Sequence, residues 1–151
     1  MSQDHDEECE PDSVRVKITG VFVANTPDAP SPVVFLESDE KRVLPIYIGA
    51  SEAFSIQTAL DNTPYPRPLT HDLFLNILEN TGLQVEKIII DDLSEGVFFS
   101  RLIIRRNGDR VEFDARPSDC IALAVRTNAP VYVSRDVMDT ASVDKGEYEI
   151  E

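Results

Sequence analysis

The sequence predicts an α+β domain, with a mixed, mainly antiparallel β-sheet and about three helices in a single folded unit. Short β-branched segments occur in two groups joined by turn-forming residues, which is typical of antiparallel hairpins. Helical segments follow each group instead of alternating with single strands, so a doubly wound parallel sheet is not expected. The predicted order is β-β-β-α-α-β-β-β-α-β, and 151 residues are enough for one domain with its own core.

The first predicted group consists of three strands followed by a helix. Residues 14–23 alternate apolar and polar side chains, as a half-buried strand does. Residues 33–36 and 42–48 flank a turn and predict a hairpin. Ser51 is the expected N-cap of a helix over 51–61, because its hydroxyl can accept a hydrogen bond from the first turn.

A second helix is predicted after a proline-rich connection that cannot itself be helical. Thr70 is its expected N-cap, and Gly82 lies where a left-handed C-cap belongs. Phe74, Ile77 and Leu78 recur at helical spacing, which predicts that they form the buried stripe of this helix.

The second group of strands contains the clearest turn signal in the chain. Asn107-Gly108 favours a two-residue hairpin turn, since both residues adopt positive φ easily. Ser118 is expected to begin the third helix, on which Cys120 is predicted to be a small buried apolar residue. Strands are predicted over 85–90, 96–105, 110–113 and 131–133.

Acidic residues outnumber basic ones, 28 to 14, and the excess lies mainly at the two ends of the chain. Residues 1–12 hold six acidic residues and no basic one, and residues 139–151 hold five against one lysine. Charge blocks of this kind are typical of solvated, disordered segments. We therefore predict an acidic disordered tail over 1–13, a folded domain over 14–138 and an acidic C-terminal tail over 139–151.

The same composition narrows the class of protein. No apolar run reaches the roughly 18 residues of a membrane span, and the acidic N-terminus lacks the basic start of a signal peptide. We therefore expect a cytoplasmic protein with no membrane partner. Four lysines beside ten arginines, with abundant acid, suit the cytoplasm of a halophile, a hypothesis that predicts an unfolding midpoint rising with added KCl. No basic patch is evident, so nucleic acid is expected as a substrate and not as a tightly held ligand.

An Arg-Pro pair precedes a predicted helix at two places. Arg67 comes just before the helix predicted from Thr70, and Arg116 just before the helix predicted from Ser118. The proline keeps each arginine out of the helix and beside its first turn, where free N–H groups attract anions. A guanidinium there can add two parallel hydrogen bonds to a phosphate. The predicted phosphate-binding residues are therefore Arg67, Thr70, Arg116 and Ser118.

Acidic residues and a histidine accompany both pairs. His71 can move a proton near neutral pH. Asp72, Asp114 and Asp119 are predicted to share the catalytic work with it and to hold Mg²⁺ or Mn²⁺, which prefer carboxylate oxygens. Glu52 is a lesser candidate for the same metal ion. Such an ion would activate water and neutralise charge on a phosphodiester.

Four segments of the sequence match one known pattern. They are 44–49 with Glu52 and Ala53, 66–73, 114–126 and 130–133. Together they resemble the bifunctional nuclease family, whose members are associated with DNase and RNase activity. The resemblance implies an α+β fold, a homodimer and hydrolysis of phosphodiester bonds in DNA or RNA. It carries no catalytic assignment, so the site residues above rest on their chemistry. Cys120 departs from the family pattern, in which alanine is more common, and the acidic N-terminal tail lies outside that pattern.

Three hypotheses follow for the two Arg-Pro regions. The first is a metal-assisted nuclease acting on DNA or RNA. The second is a non-catalytic dimeric module that binds a small phosphate-bearing ligand or a partner protein in the same arginine-lined pocket. The third is structural: Arg67 and Arg116 pair with nearby carboxylates and close the fold. In that case both guanidiniums should be buried in ion pairs, with no open cleft beside them.

Overall fold

The computed structural model describes residues 12–148, which form four α-helices and eight strands. The elements are β1 Ser13–Asn25, β2 Pro30–Ser38, β3 Arg42–Tyr47, α1 Ala50–Leu60, α2 Thr70–Asn80, β4 Gln84–Ser94, β5 Val97–Arg106, β6 Asp109–Ala115, α3 Pro117–Thr127, β7 Val131–Ser134, α4 Arg135–Ala141 and β8 Val143–Asp144, followed by a 3-10 turn at Lys145–Tyr148. All eight strands belong to one sheet, in the order β6-β5-β4-β7-β1-β2-β3-β8. Within the described sheet β4 and β7 are parallel neighbours and the other pairs are antiparallel, so the predicted fold class is confirmed.

The end of the fourth helix and the last strand lie where the sequence predicted a tail. Ser134 caps α4, because its hydroxyl accepts a hydrogen bond from the N–H of Val137 at 3.2 Å. β8 then pairs with β3 at the edge of the sheet. The predicted domain end at 138 falls inside α4, and part of the acidic C-terminal segment joins the fold. Of the two predicted tails, residues 1–11 and 149–151 lie outside the described part of the chain.

The hairpin predicted at Asn107-Gly108 is confirmed. β5 and β6 are antiparallel neighbours with Arg106 opposite Asp109, so only the two intervening residues form the turn. Asn107 has a φ of 55°, a left-handed conformation that asparagine tolerates better than most side chains.

One apolar core joins the helices to a face of the sheet. Leu36 of β2, Ile88 of β4 and Val133 of β7 are fully buried in it. α3 contributes five consecutive buried residues, from Cys120 to Ala124. Burial raises the pKa of the Cys120 thiol to about 11, which keeps it protonated, in agreement with its predicted role as a small buried residue. No helix in the described residues is long and apolar enough to cross a membrane.

The buried stripe predicted for α2 is confirmed at Leu78 and wrong at Phe74 and Ile77. Leu75 and Leu78 are 9% and 8% exposed, whereas Phe74 and Ile77 are 40% and 54% exposed. The helix carries apolar residues at five of six consecutive positions, so helical spacing alone admits more than one stripe. Packing against α3 selects the stripe that contains Leu75, and the other apolar side chains remain on the surface.

The three predicted N-caps, Ser51, Thr70 and Ser118, are also wrong, because each lies within the first turn of its helix. The residue at the true N-cap position offers no side-chain hydrogen bond in any of the three helices. In each helix an acidic side chain occupies the third helical position, where it complements the positive end of the helix dipole. These acidic residues are Glu52, Asp72 and Asp119.

Candidate functional site

The first turns of α1, α2 and α3 meet at one place on the surface. α1 packs against α3, and the start of α2 brings a histidine against the same part of α3. The structure therefore brings together part of the two Arg-Pro regions. Four connected side chains, which we call the cluster, form this meeting point: Glu52, His71, Arg116 and Asp119.

Asp119 is the centre of the cluster. Arg116 donates to it through two parallel hydrogen bonds, from Nε to Oδ2 at 2.9 Å and from Nη2 to Oδ1 at 3.1 Å. His71 approaches the same Oδ1 with its Nε2 at 2.9 Å. Burial acts to raise the pKa of Asp119, but the hydrogen bonds from Arg116 and His71 outweigh burial and lower it below its ordinary value. The carboxylate is thus held ionised.

Arg116 remains available to a ligand although it is paired. Its third hydrogen bond runs from Nη1 to Oε2 of Glu52 at 3.1 Å, and hydrogen bonding to Asp119 is the main reason why its pKa is raised. A guanidinium has five N–H groups, so two of them are not used by these three bonds. The side chain is 62% exposed, which leaves those two groups open to solvent.

The absence of a side chain at Gly49 leaves room for the carboxylate of Glu52. Gly49 is the N-cap of α1, and a Cβ atom built on it would collide with Oε1 of Glu52. The carboxylate of Glu52 therefore folds back over the backbone of Gly49, which directs its other oxygen to Arg116.

His71 has both ring nitrogens engaged. Nδ1 lies 2.7 Å from Oγ of Ser55, and Nε2 faces Asp119. The side chain of His71 is only 14% exposed. Sequence analysis did not find Ser55, because nothing in the pattern of α1 links a buried serine to a histidine 16 positions away. A hydrogen-bonded chain thus runs from Ser55 through His71 to Asp119.

Asp72 and Arg67 lie apart from the cluster. Oδ1 of Asp72 accepts from Nε of Arg126 at 2.8 Å, and Oδ2 accepts from the N–H of Leu69 at 2.9 Å. Burial acts to raise the pKa of Asp72, but these two hydrogen bonds outweigh it and lower the pKa. Arg67 is exposed, and its side chain makes no ion pair or hydrogen bond within 12–148. Arg67 and Asp72 line a separate pocket of about 460 Å³ together with Arg126.

The remaining predicted site residues border the cluster. Thr70 lines two clefts that open on the cluster and are described below. Asp114 is exposed at the end of β6, and no hydrogen bond or ion pair holds its side chain among the described residues. Ser118 is buried in the first turn of α3 and borders a further pocket that Arg116 also lines.

Two clefts open on the cluster. The smaller cleft, of about 560 Å³, lies between the starts of α1 and α2. The apolar cleft, of about 740 Å³, lies between α2, α3 and the β5–β6 hairpin. Thr70, His71, Arg116 and Asp119 line both. Asp114 also lines the apolar cleft. The apolar side chains that line this cleft are mainly Phe74, Leu78, Leu83, Leu102, Ile104, Val111, Phe113 and Leu123.

The donor set does not fit the predicted Mg²⁺ or Mn²⁺ site. No group of three His, Cys, Asp or Glu side chains among the described residues is placed to hold a metal ion. Asp72 is bound by Arg126, and both oxygens of Asp119 accept from Arg116. The positive charge between Glu52 and Asp119 is supplied by Arg116 itself.

The purely structural hypothesis disagrees with the geometry. It required both guanidiniums to be buried in ion pairs with no cleft beside them. Arg116 does pair with the aspartate that follows it, but it is mostly exposed and borders two clefts. Arg67 is exposed and has no ion pair in the described part of the chain.

The fold and the cluster together define a small α+β domain whose helix starts place an arginine, a carboxylate and an imidazole beside open clefts. These are the side chains that bind phosphate esters and move protons. The bifunctional nuclease domain model matches residues 33–146, and the chain belongs to this family. The resemblance seen in the sequence is confirmed.

The chain is similar to a bacterial protein and to plant nucleases. An uncharacterized protein of Mycobacterium tuberculosis is 38% identical over 129 residues, which cover 85% of this chain and 76% of that protein. Bifunctional nuclease 2 of Oryza sativa subsp. japonica is 29% identical over 119 residues, covering 75% of this chain and 37% of that protein. Bifunctional nuclease 2 of Arabidopsis thaliana is 26% identical over 106 residues, covering 68% and 32%. The chain spans about a third of the length of these plant relatives.

Proposed function

We propose that the chain hydrolyses phosphodiester bonds of DNA or RNA at the cluster. The observation that carries this proposal is the contact of Arg116 and His71 with one carboxylate, that of Asp119, between two open clefts. Membership in the bifunctional nuclease domain family and the names of the plant relatives support the same class of substrate.

Arg116 binds the phosphate in this proposal. Its two unused N–H groups point to no protein acceptor in the described residues, and two N–H donors of one guanidinium suit two oxygens of a phosphate. Glu52 and Asp119 hold the guanidinium in place, which reduces the ordering that binding requires.

Phosphate binding activates Asp119 as a base. The hydrogen bonds from Arg116 lower the pKa of this carboxyl group, and a phosphate bound to the same guanidinium opposes them, because its negative charge lies beside Asp119 and raises the pKa again. Among the described residues Oδ2 accepts only from Arg116, so it keeps a lone pair that can accept the proton. Asp119 then takes a proton from water, the water oxygen bonds to phosphorus, and the ester P–O bond breaks. The departing oxygen receives the proton from Asp119.

His71 acts through Asp119 in this scheme. Both of its ring nitrogens are engaged by protein groups, so we assign it a positioning role and give the proton to the carboxylate. Nε2 fixes Oδ1 of Asp119, and Ser55 fixes the imidazole ring from the other side.

The test is cleavage of end-labelled DNA and RNA strands by the purified chain, followed on gels. Asp119→Asn keeps the size of the side chain but cannot accept the proton, so we expect a loss of about 100-fold or more. His71→Ala should lose less than Asp119→Asn, because it only loosens the carboxylate. Arg105→Ala is the control, since this half-exposed arginine on β5 interacts with Glu86 outside the cluster.

Three outcomes decide the matter. Equal cleavage by wild type and Asp119→Asn contradicts the proposal and indicates a contaminating nuclease. Equal losses in His71→Ala and Asp119→Asn assign the proton to the histidine. The same assay in EDTA tests the metal: the donor geometry predicts a rate that survives EDTA, and a rate restored only by added Mg²⁺ or Mn²⁺ would support the sequence-based expectation.

The second candidate function is binding without turnover. It is favoured by one observation: every carboxylate of the cluster is already paired, and both nitrogens of His71 are engaged. Calorimetric titration with a nucleoside monophosphate tests it. Binding that Arg116→Ala abolishes, without cleavage of any strand, would establish a phosphate-binding module in place of a nuclease.

A further inference from the structure

The apolar cleft is larger than phosphate binding alone requires. Its volume of about 740 Å³ lies within the range of sites for small organic ligands. Phe74 and Phe113 line it and are 40% and 49% exposed, although exposure of two large aromatic side chains is unfavourable in water. The cleft therefore offers aromatic surface to a ligand.

The strand register explains why this surface is open. β6 is the edge strand of the sheet, with Phe113 opposite Leu102 and Val111 opposite Ile104 of β5. These four side chains share one face of the hairpin. α2 borders the same cleft and contributes Phe74, which belongs to the apolar stripe that α2 does not bury.

The other face of the hairpin is covered in a different way. Arg101 pairs with Asp91 at 2.8 Å and with Glu112 at 2.9 Å, and Arg110 pairs with Glu86 at 2.6 Å. These ion pairs lie across the strands and cover part of that face. The apolar face has no such ion pairs among the described residues.

Polar groups stand at one end of the apolar cleft. Arg116 is the single arginine or lysine among the described residues that line it, and Asp114 is a carboxylate without a side-chain partner there. A ligand that fills the cleft therefore combines a flat apolar body with one anionic group near Arg116. Hydrogen-bond donors on the edge of that body would suit Asp114. A nucleotide has all three features.

We propose that the apolar cleft receives one unpaired nucleobase of a single-stranded DNA or RNA, stacked against Phe74 and Phe113 with its phosphate at Arg116. This inference rests on the proposed function, because that phosphate belongs to the bond to be cleaved. Bases inside a duplex are already stacked and paired, and extruding one costs energy. The substrate class is therefore single-stranded nucleic acid, and the bases contribute more to binding than the phosphates do.

The experiment measures binding by fluorescence anisotropy to three ligands of equal length. These are a labelled single strand, its duplex and a strand of abasic nucleotides that keeps every phosphate. Each protein in this measurement also carries Asp119→Asn, so that the strands are not cleaved, and gels run afterwards confirm that they are intact. The expected order of affinity is single strand first, with the abasic strand and the duplex each about tenfold weaker. With one guanidinium in the cleft, the logarithm of the binding constant should fall with the logarithm of salt concentration with a slope of about −0.7.

Variants identify the stacking surface. Phe113→Ala and Phe74→Ala should each weaken binding of the single strand about tenfold and leave binding of the abasic strand unchanged. Phe113→Tyr keeps an aromatic face and should bind like wild type. Phe99→Ala is the matched control, because Phe99 lies on the neighbouring strand, is 43% exposed and does not line the cleft.

Three results would overturn the inference. One is wild-type affinity for the abasic strand equal to that for the natural strand. Another is equal weakening by Phe99→Ala and Phe113→Ala. The third is a dimer in sedimentation analysis that Phe113→Ala converts to monomers, since a second copy would then cover the cleft.

The result also separates this inference from the proposed function. Cleavage by a chain that binds natural and abasic strands equally keeps the nuclease proposal and removes the base site. Base-dependent binding with no cleavage keeps the base site and removes the nuclease proposal.

Discussion

The two Arg-Pro regions look alike in sequence but serve different purposes in the fold. In the second region Arg116 is itself the N-cap of α3 and Asp119 is the third helical residue, so the two side chains meet across one turn. In the first region Leu69 is the N-cap of α2, which leaves Arg67 two residues outside the helix. A shift of two residues thus decides whether the arginine reaches the acidic residue of its own helix.

The acidic residues of the two regions differ in the same way. Asp119 pairs with the exposed Arg116 and faces the clefts. Asp72 pairs with Arg126, whose side chain is only 9% exposed on α3, and so ties α2 to α3. One aspartate holds a group that can bind a ligand, and the other holds two helices together. We therefore expect the Arg116–Asp119 pair to serve function and the Asp72–Arg126 pair to serve stability.

Removal of each arginine tests this assignment most strongly. Arg116→Ala takes away the only arginine or lysine among the described residues lining the apolar cleft, and we expect nuclease activity to fall about 100-fold. Arg67→Ala removes an exposed side chain without an ion pair in the described residues, and activity should stay within about twofold of wild type. The measurement is the cleavage rate of a labelled strand. Similar losses in both variants would show that both regions bind the substrate.

Removal of the Asp72 carboxylate should lower the stability of the fold and leave the nuclease activity unchanged. Asp72→Asn leaves the nearly buried Arg126 without its charged partner. We therefore expect the free energy of unfolding, measured in urea, to fall by about 1 kcal/mol. This figure is kept low because the side chain of Asp72 is 41% exposed and solvent screens the pair. Cleavage by this variant, measured on the same preparation, should be close to wild type. A stable but inactive Asp72→Asn protein would contradict the comparison.

The sequence predicts local features of this molecule better than distant contacts. The element order and the Asn107-Gly108 turn depend on neighbouring residues; the turn is confirmed, and the order is confirmed from β1 to β7 but omitted α4 and β8. The pairing of Arg116 with Asp119 is also local and was one of the predicted alternatives. The stripe of α2 could not be decided locally, because apolar residues on that helix allow two choices and only packing selects one.

The contacts that define the cluster join residues far apart in the chain. Ser55 and His71 are 16 positions apart, and Arg116 and Glu52 are 64 apart. Such pairs depend on how α1, α2 and α3 pack together, which no periodic pattern specifies. The same holds for Arg126, 54 positions from Asp72. For this reason the sequence identified the regions of the site but not the partner of each side chain.

Acid unfolding should show a smaller effect that the two aspartates have in common. Burial acts to raise both pKa values, but hydrogen bonds from Arg126 to Asp72 and from Arg116 to Asp119 prevail, so both pKa values lie below 3.8. A lowered pKa in the folded state gives stability that is present above the ordinary pKa and is lost as the pH falls through the lowered value. We expect the urea midpoint of wild type to fall below pH 3.8 more steeply than that of Asp72→Asn or Asp119→Asn. Parallel curves for all three proteins would contradict this.

The smallest predicted effect concerns the support that Arg116 receives from α1, a support for which Arg67 has no equivalent. In Gly49→Ala the new Cβ displaces Oε1 of Glu52 and so weakens the hydrogen bond from Arg116. An exposed ion pair contributes little, so we expect the affinity for a single strand to fall only about twofold. Gly108→Ala is the control, because a Cβ there meets nothing within 4 Å. If the effect acts through Glu52, then Glu52→Gln should cause a similar loss of affinity. The double variant, Gly49→Ala with Glu52→Gln, should then lose no more affinity than either single variant. Additive losses would mean that Gly49 matters for another reason.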